Sequence, residues 1–207
     1  MGIYEFAGCV VSYEPLYGLL RRRMETYRSD TERQPDITLD GTKEDYEKLR
    51  KQYPHLSIEE CEYSCAGAEF YMKLLKHQGF MIHASAVEKE GKAYLFSAPS
   101  GTGKSTHAQL WRQTFKGEPI RIINDDKPAV CLQNGVFYAC GTPFSGKTDK
   151  NENRKAPIQG LCMLHRGKTN KIQKITSGEA LPLILPQTLF YGDEEETNLL
   201  LSFLDRF

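Results

Sequence analysis

The chain has 207 residues, 40% apolar and 26% charged, with 27 Lys and Arg offset by 27 Asp and Glu to a formal charge of zero. That length buries a sizeable core in one domain or slightly more, and the charge balance argues against a nucleic-acid binder, whose phosphate contacts need a basic excess. The first ten residues lack the basic start and apolar run of a signal peptide, and no stretch approaches the roughly 20 apolar residues that span a bilayer, so a cytoplasmic protein with no membrane partner is expected.

Residues 1–65 are polar and rich in tyrosine, with strand-like runs at 7–11 and 36–39. The polar loop at 28–35, which ends in Pro35, is the expected internal boundary. A charged helix is predicted over 42–52, closed by Pro54. Arg21-Arg-Arg23 reads as a solvated face, as does Asp193-Glu-Glu-Glu196 further on. The six cysteines, at 9, 61, 65, 131, 140 and 162, include no Cys-x-x-Cys pair. Cys61 and Cys65 have no second ligand pair nearby, so reduced, mostly buried thiols are expected rather than a zinc site.

From Ala66 the pattern changes, which divides the chain into an N-terminal α+β region, 1–65, and a core, 66–207. Phe70, Tyr71, Leu74 and Leu75 predict a helix over 66–77, stopped by Gly79. Residues 80–87 read as a strand with Phe80, Ile82, Ala84 and Ala86 on one face and His83 and Ser85 on the other. A short turn containing Gly91 leads to a second strand at 93–97, an antiparallel hairpin, because parallel neighbours need a crossover of a dozen or more residues.

The second strand runs into Ala98-Pro-Ser-Gly-Thr-Gly-Lys-Ser105, a phosphate-loop pattern with alanine in place of the first glycine. Ser100, Gly101, Thr102 and Gly103 would curl the backbone N–H groups inward around an anion. Lys104 would reach the β- and γ-phosphates of ATP, and Ser105 or Thr106 would offer a hydroxyl to Mg2+. Ala108, Leu110, Trp111 and Phe115 give the following helix an apolar face, so its N-terminus points at the phosphates. A strand fed by a hairpin, rather than by a parallel crossover, predicts a mixed α/β sheet.

A short strand at 119–123 ends in Asn124-Asp-Asp126. Asp125 and Asp126 are candidate magnesium ligands, one of them with its pKa raised by its neighbour and able to take a proton from an attacking hydroxyl. His83, paired close to the loop, is a candidate active-site residue. Gly141-Thr-Pro-Phe-Ser-Gly-Lys147 reads as a shaped loop offering Ser145, Gly146 and Lys147 to an anion, followed at 148–155 by a polar lid whose Arg154 and Lys155 balance phosphate charge. Leu200, Phe203, Leu204 and Phe207 form an apolar stripe that must dock on its own domain or on a second subunit, which leaves a homo-oligomer open.

His83-Ala-Ser-Ala, Ser100-Gly-Thr-Gly-Lys-Ser105 and Asn124-Asp-Asp126, in that order, resemble the core of HPr kinase/phosphorylase, which is similar in turn to ATP-dependent phosphoenolpyruvate carboxykinase. With Thr142-Pro-Phe-Ser-Gly-Lys147 the chain is similar to small bacterial HPr-kinase-like proteins. The likeness covers about residues 79–175. It implies a P-loop kinase with ATP and Mg2+, in which 101–106 is the nucleotide loop, Asp125 and Asp126 the metal and base pair, and His83 an active-site residue. The C-terminal substrate-recognition signature of true HPr kinases is not found, and residues 1–65 do not resemble their N-terminal domain. The acceptor is therefore an unassigned hydroxyl on a protein, peptide or small molecule. The alternatives are a non-catalytic ATP-dependent binding module and a carboxykinase-like enzyme, which would need a larger cluster of histidines and acids.

Overall fold

The structure, a computed structural model, describes residues 1–115, 117, 119–189 and 193–207. It opens with β1 (Gly2–Phe6) and β2 (Cys9–Tyr13), antiparallel about the turn Ala7-Gly8. Both turn residues have positive φ, 52° and 80°, the conformation whose twist matches a two-residue hairpin. The strand expected over 7–11 therefore begins inside this turn. After α1 (Gly18–Met24), the chain returns as β3 (Ile37–Thr38), parallel to β2. The loop expected to be a boundary lies within this unit, because Ser29 N donates to Ile3 O at 2.9 Å and Asp36 N to Val10 O at 2.8 Å.

Two helices follow, each started by a capping box in which a hydroxyl and a carboxylate satisfy each other's free N–H groups. Thr42 with Asp45 starts α2 (Lys43–Gln52), as predicted. Ser57 with Glu60 starts α3 (Ile58–Leu74), eight residues before the expected start, so the helix runs through the change in composition at 65/66. Its stop is Gln78, at φ 60°, rather than Gly79. Gly79 is needed for space, since a Cβ there would sit 2.9 Å from Leu74. On α3, Phe70 packs against Phe6 on one side and Tyr71 and Phe144 on the other, which ties the N-terminal unit to the rest of the chain.

The larger sheet has seven strands: β4 (Gly79–Met81), β5 (Ala84–Lys89), β6 (Lys92–Ser97), β7 (Arg121–Asn124), β8 (Ala129–Gln133), β9 (Val136–Cys140) and β10 (Lys155–Met163), in the spatial order β4-β8-β9-β10-β6-β5-β7. The first residues of β10 pair antiparallel with β9, and its remainder pairs parallel with β6, with a register break between Ile158 and Gly160. One long strand thus joins two half-sheets and curls the whole, giving the mixed α/β architecture expected. The β5–β6 hairpin is also as expected, closed by Glu90-Gly91 at φ 51° and 73°. The single strand expected over 80–87 is divided, however. β4 pairs with β8 and β5 with β6 and β7, and His83 falls at the break.

α4 (Lys104–Thr114) lays Ala108 and Trp111 on Val87, Phe96 and Ile122. Leu110 was expected on that face but is 49% exposed, because one residue before Trp111 is 100° away around the helix. α5 (Ser177–Ile184) precedes α6 (Glu194–Arg206), whose Phe203 stacks on Phe80 while Phe207 meets Phe80 and Phe137. The tail stripe therefore docks on its own chain. Asp193 caps α6 through Glu196 N, and the acidic run lies on the surface. None of the described helices is long and apolar enough to cross a membrane. All six cysteines are free thiols, four of them buried.

Candidate functional site

Three strand ends converge at one edge of the curled sheet. β6 ends at Ser97, β7 ends at Asn124, and β5 starts at Ala84, which pairs with Ser97. Ser97 Oγ donates to His83 O, and Ala84 N donates to Asp126 O, so the 98–105 loop, His83 and the two aspartates are brought together. The carboxyl ends of strands are where open α/β sheets place ligands.

In the loop itself Gly101 and Gly103 hold φ of 76° and 120°, and a Cβ at either would meet no atom within 4 Å. Glycine there answers a conformational demand of the backbone. Gly103 precedes the first turn of α4, so Lys104 and Ser105 lie at the helix N-terminus with its partial positive charge. Lys104 is only 7% exposed, its Nζ donating to Ala98 O at 2.9 Å. Burial lowers its pKa, opposed by the negative charges of Asp126 and Asp125 nearby. Ser100, Gly101 and Thr106 are exposed, with Thr102, Gly103 and Ser105 half-buried.

Asn124 organises the acidic turn. Its Oδ1 accepts from Asp126 N at 2.9 Å and Lys127 N at 2.8 Å, while its amide donates to Thr142 Oγ1 at 3.1 Å. The two carboxylates consequently face different partners. Asp125, 3% exposed, accepts from Ser85 Oγ at 2.7 Å and from Thr148 Oγ1 at 3.0 Å. Asp126 pairs with Lys127 Nζ and, at 3.4 Å, with His83 Nε2. Burial would raise the Asp126 pKa, but the hydrogen bond from His83 and the charge of Lys127 outweigh it and hold it at about 2. The upward shift expected from a neighbouring carboxylate is not what Asp126 shows, because the His83 hydrogen bond and the Lys127 charge face it. On its other side His83 meets Gln187, with Nδ1 3.2 Å from Oε1 and the backbone N donating to Gln187 O at 2.7 Å.

The 141–147 loop is largely interior. Thr142, Phe144 and Ser145 are buried, with Phe144 among Tyr63, Phe70 and Tyr71. Ser145 Oγ lies 2.8 Å from Asn151 Nδ2 and 3.2 Å from Asp149 Oδ1, whereas Lys147 is exposed. Gly146, at φ 69°, is pressed on the acidic turn: a Cβ there would lie 2.7 Å from Cγ and Oδ2 of Asp126. Arg154 pairs with Glu88 and Glu152, and Lys155 reaches Gln133 and the Tyr138 ring, so both cations expected in a lid are engaged away from the aspartates.

Several contributors were not visible in the sequence. Arg23, read as solvated, has a side chain only 9% exposed. It pairs with Asp149 at 3.1 Å, donates to Gly146 O at 2.8 Å and lies over the Tyr63 ring. Tyr63 Oη accepts from Gly146 N, and Tyr27 Oη donates to Asn151 Oδ1. The N-terminal unit thus fastens the 146–151 loop over Asp125 and Asp126. Arg166, just past β10, donates to Gly101 O at 2.5 Å beside the loop. These contacts span 40 residues or more, and no local pattern signals them.

A groove of about 480 Å³ lies elsewhere, lined by Asp36, Thr38, Glu69 and Lys73 among others. It touches none of the candidate residues, and the Lys73 ammonium is already held by Thr38 O, Asp40 and Glu69. The converging loop and aspartates have the more specific chemistry. No protein-family model matches the chain, and no curated protein matches it.

Proposed function

We propose that the chain is an ATP- and magnesium-dependent phosphotransferase of the HPr-kinase-like kind, moving the γ-phosphate to a hydroxyl. The observation that carries the reading is Lys104, at the start of a helix behind two positive-φ glycines, within the electrostatic reach of Asp125 and Asp126. A curled glycine loop offers backbone N–H groups to phosphate oxygens, and the lysine adds a mobile positive charge. The donor set also suits magnesium, which takes one or two carboxylates together with phosphate oxygens and waters. Asp126 and the Ser105 hydroxyl would hold it, with Asp125 left to take a proton, and the ion would neutralise charge that develops on the transferring phosphoryl group.

The chain's own residues divide the work. With a pKa near 2, Asp126 is a permanent negative charge and a weak proton acceptor, suited to anchoring a cation and orienting His83. Asp125 already accepts hydrogens from two hydroxyls, so the proton of an acceptor hydroxyl goes there.

The test is fluorescent-ATP binding and phosphate release in the unmodified protein, Lys104→Met, Asp125→Asn and Asp126→Asn. Lys104→Met should weaken binding at least tenfold. The two Asp→Asn variants should bind within a few-fold of the unmodified protein while turnover collapses. Binding without turnover in every variant and in the unmodified protein would favour a nucleotide-dependent binding module instead, and no binding at all would end the proposal.

A further inference from the structure

Resting on that reading, we propose that Thr148 is a phosphoryl acceptor within the chain itself, so that the protein phosphorylates its own 146–151 loop. Thr148 is an exposed residue whose hydroxyl nonetheless donates to Oδ2 of the buried Asp125 at 3.0 Å. A general base must stand about 2.6–3.2 Å from the oxygen it deprotonates, so the pair already has the required spacing.

The loop holds that spacing on both sides. Before Thr148, Gly146 is fixed by Arg23 through its carbonyl and by Tyr63 through its N–H. After it, Asp149 pairs with Arg23, Lys150 O accepts from Asp125 N at 3.0 Å, and Asn151 accepts from Tyr27. The hydroxyl is therefore presented by a loop fastened through five contacts at four residues, and an acceptor held in this way gains the advantage of an intramolecular reaction. Among the described residues the other hydroxyl on this carboxylate is that of Ser85, which is fully buried in β5 and unable to meet a nucleotide. Ser145, in the same loop, is buried on Asp149 and Asn151.

In the step proposed, a nucleoside triphosphate is the donor. Thr148 Oγ1 bonds to the γ-phosphorus as its proton passes to Asp125 Oδ2. The bond from that phosphorus to the bridging oxygen breaks, and its electron pair leaves with the diphosphate. The product carries a charge of about −1.5 to −2 beside Asp125, which repels it. Lys147 and Lys150, close to Thr148 in the chain, are exposed, so the modified loop would lift away from Asp125 toward solvent and the event would occur once per chain.

The full-length protein, purified and stripped of phosphate, would be incubated with magnesium and γ-labelled ATP, then digested for mass spectrometry, with fluorescent-ATP binding measured in parallel. One phosphate per chain is expected on Thr148. The label should persist as phosphoserine in Thr148→Ser and vanish in Thr148→Val and in Asp125→Asn, with ATP affinity in the two Thr148 variants within about threefold of the unmodified protein. Amide exchange without nucleotide gives a readout independent of turnover: Thr148→Val should raise exchange at Asp125 and across 146–151 several-fold. ATP binding and phosphate release with no label on Thr148, or label on another residue, overturns the inference and leaves the phosphotransferase reading standing. Unchanged exchange in Thr148→Val overturns it too, by removing the contact on which it rests. Failure of the unmodified protein to bind ATP overturns both.

Discussion

Gly146→Ala tests whether the 141–147 loop sets the position of Asp126. Two separate costs are expected. At φ 69° an alanine meets the left-handed penalty of roughly 1–2 kcal/mol. Its Cβ would also fall 2.7 Å from Asp126 Cγ and Oδ2, so reaching a contact distance of roughly 3.5 Å moves the carboxylate or the loop by about 0.8 Å. Gly135→Ala isolates the first cost, since Gly135 has φ 79° in the β8–β9 turn with nothing within 4 Å of an added Cβ. Each kcal/mol is worth about 2–4 °C in a chain of this size, so Gly135→Ala should lower Tm by roughly 2–8 °C and Gly146→Ala by more. Gly146→Ala alone should reduce phosphate release from ATP, on the order of 10²-fold, because displacements near 1 Å at a reacting centre cost that much. Differential scanning fluorimetry and a steady-state phosphate-release assay read the two effects. Equal Tm losses in both variants together with full turnover in Gly146→Ala would refute the idea that the loop bears on Asp126.

Asp126 lies below its usual 3.8, at about 2, so its interactions contribute stability that is complete above about 3.8 and lost as the pH falls through about 2. The difference corresponds to about 2 kcal/mol, and urea midpoints taken from about pH 5 down to about pH 2 should fall more steeply for the unmodified protein than for Asp126→Asn. Arg23→Met removes a charged hydrogen bond and should cost about 2 kcal/mol by urea unfolding, while raising amide exchange selectively over 146–151. A rise spread evenly over the chain would contradict a local fastening. Glu62, fully buried, accepts from Tyr13 Oη at 3.0 Å and from the backbone N of Leu16 and Tyr17. Glu62→Ala takes the side-chain acceptor from the N–H groups of Leu16 and Tyr17 and should cost on the order of 3–5 kcal/mol, and Glu62→Gln considerably less.

What could be read from the sequence was local. Turn chemistry around Gly91 gave the β5–β6 hairpin, and the charged run closed by Pro54 gave α2, because each depends on residues close in sequence. The capping boxes at Thr42 with Asp45 and at Ser57 with Glu60 are equally local, but a polar run follows the second, so α3 begins earlier than the apolar spacing indicates. Alternation misled at 80–87, where apolar residues continue through Ile82 although the chain changes sheet partner there, a feature set by β8 and β7 some 40 residues away. The site divided along the same line. The glycines, Lys104 and the aspartates stand in contiguous motifs, whereas Arg23, Tyr27, Tyr63 and Thr148 act through contacts between distant segments. Arg23 is the clearest case: three consecutive arginines look solvated, yet the third points inward under the 146–149 turn.

Adjacent aspartates invite the expectation that each disturbs the other, and the turn prevents it. By binding the N–H groups of both Asp126 and Lys127, Asn124 bends the chain so that consecutive side chains leave in different directions. One carboxylate enters a lining of hydroxyls, Ser85 and Thr148, and the other faces the Lys127 ammonium and the His83 ring. Hydroxyls are neutral donors that can surrender a proton to the carboxylate they touch, and cations fix a carboxylate in its charged form. In the proposed phosphotransfer, a proton-accepting role and a charge-anchoring role would thereby separate onto neighbouring residues. Asn124→Asp is the change that should blur this separation, since a carboxylate in its place loses the amide hydrogen bonds to Thr142 and adds a third negative charge to the turn.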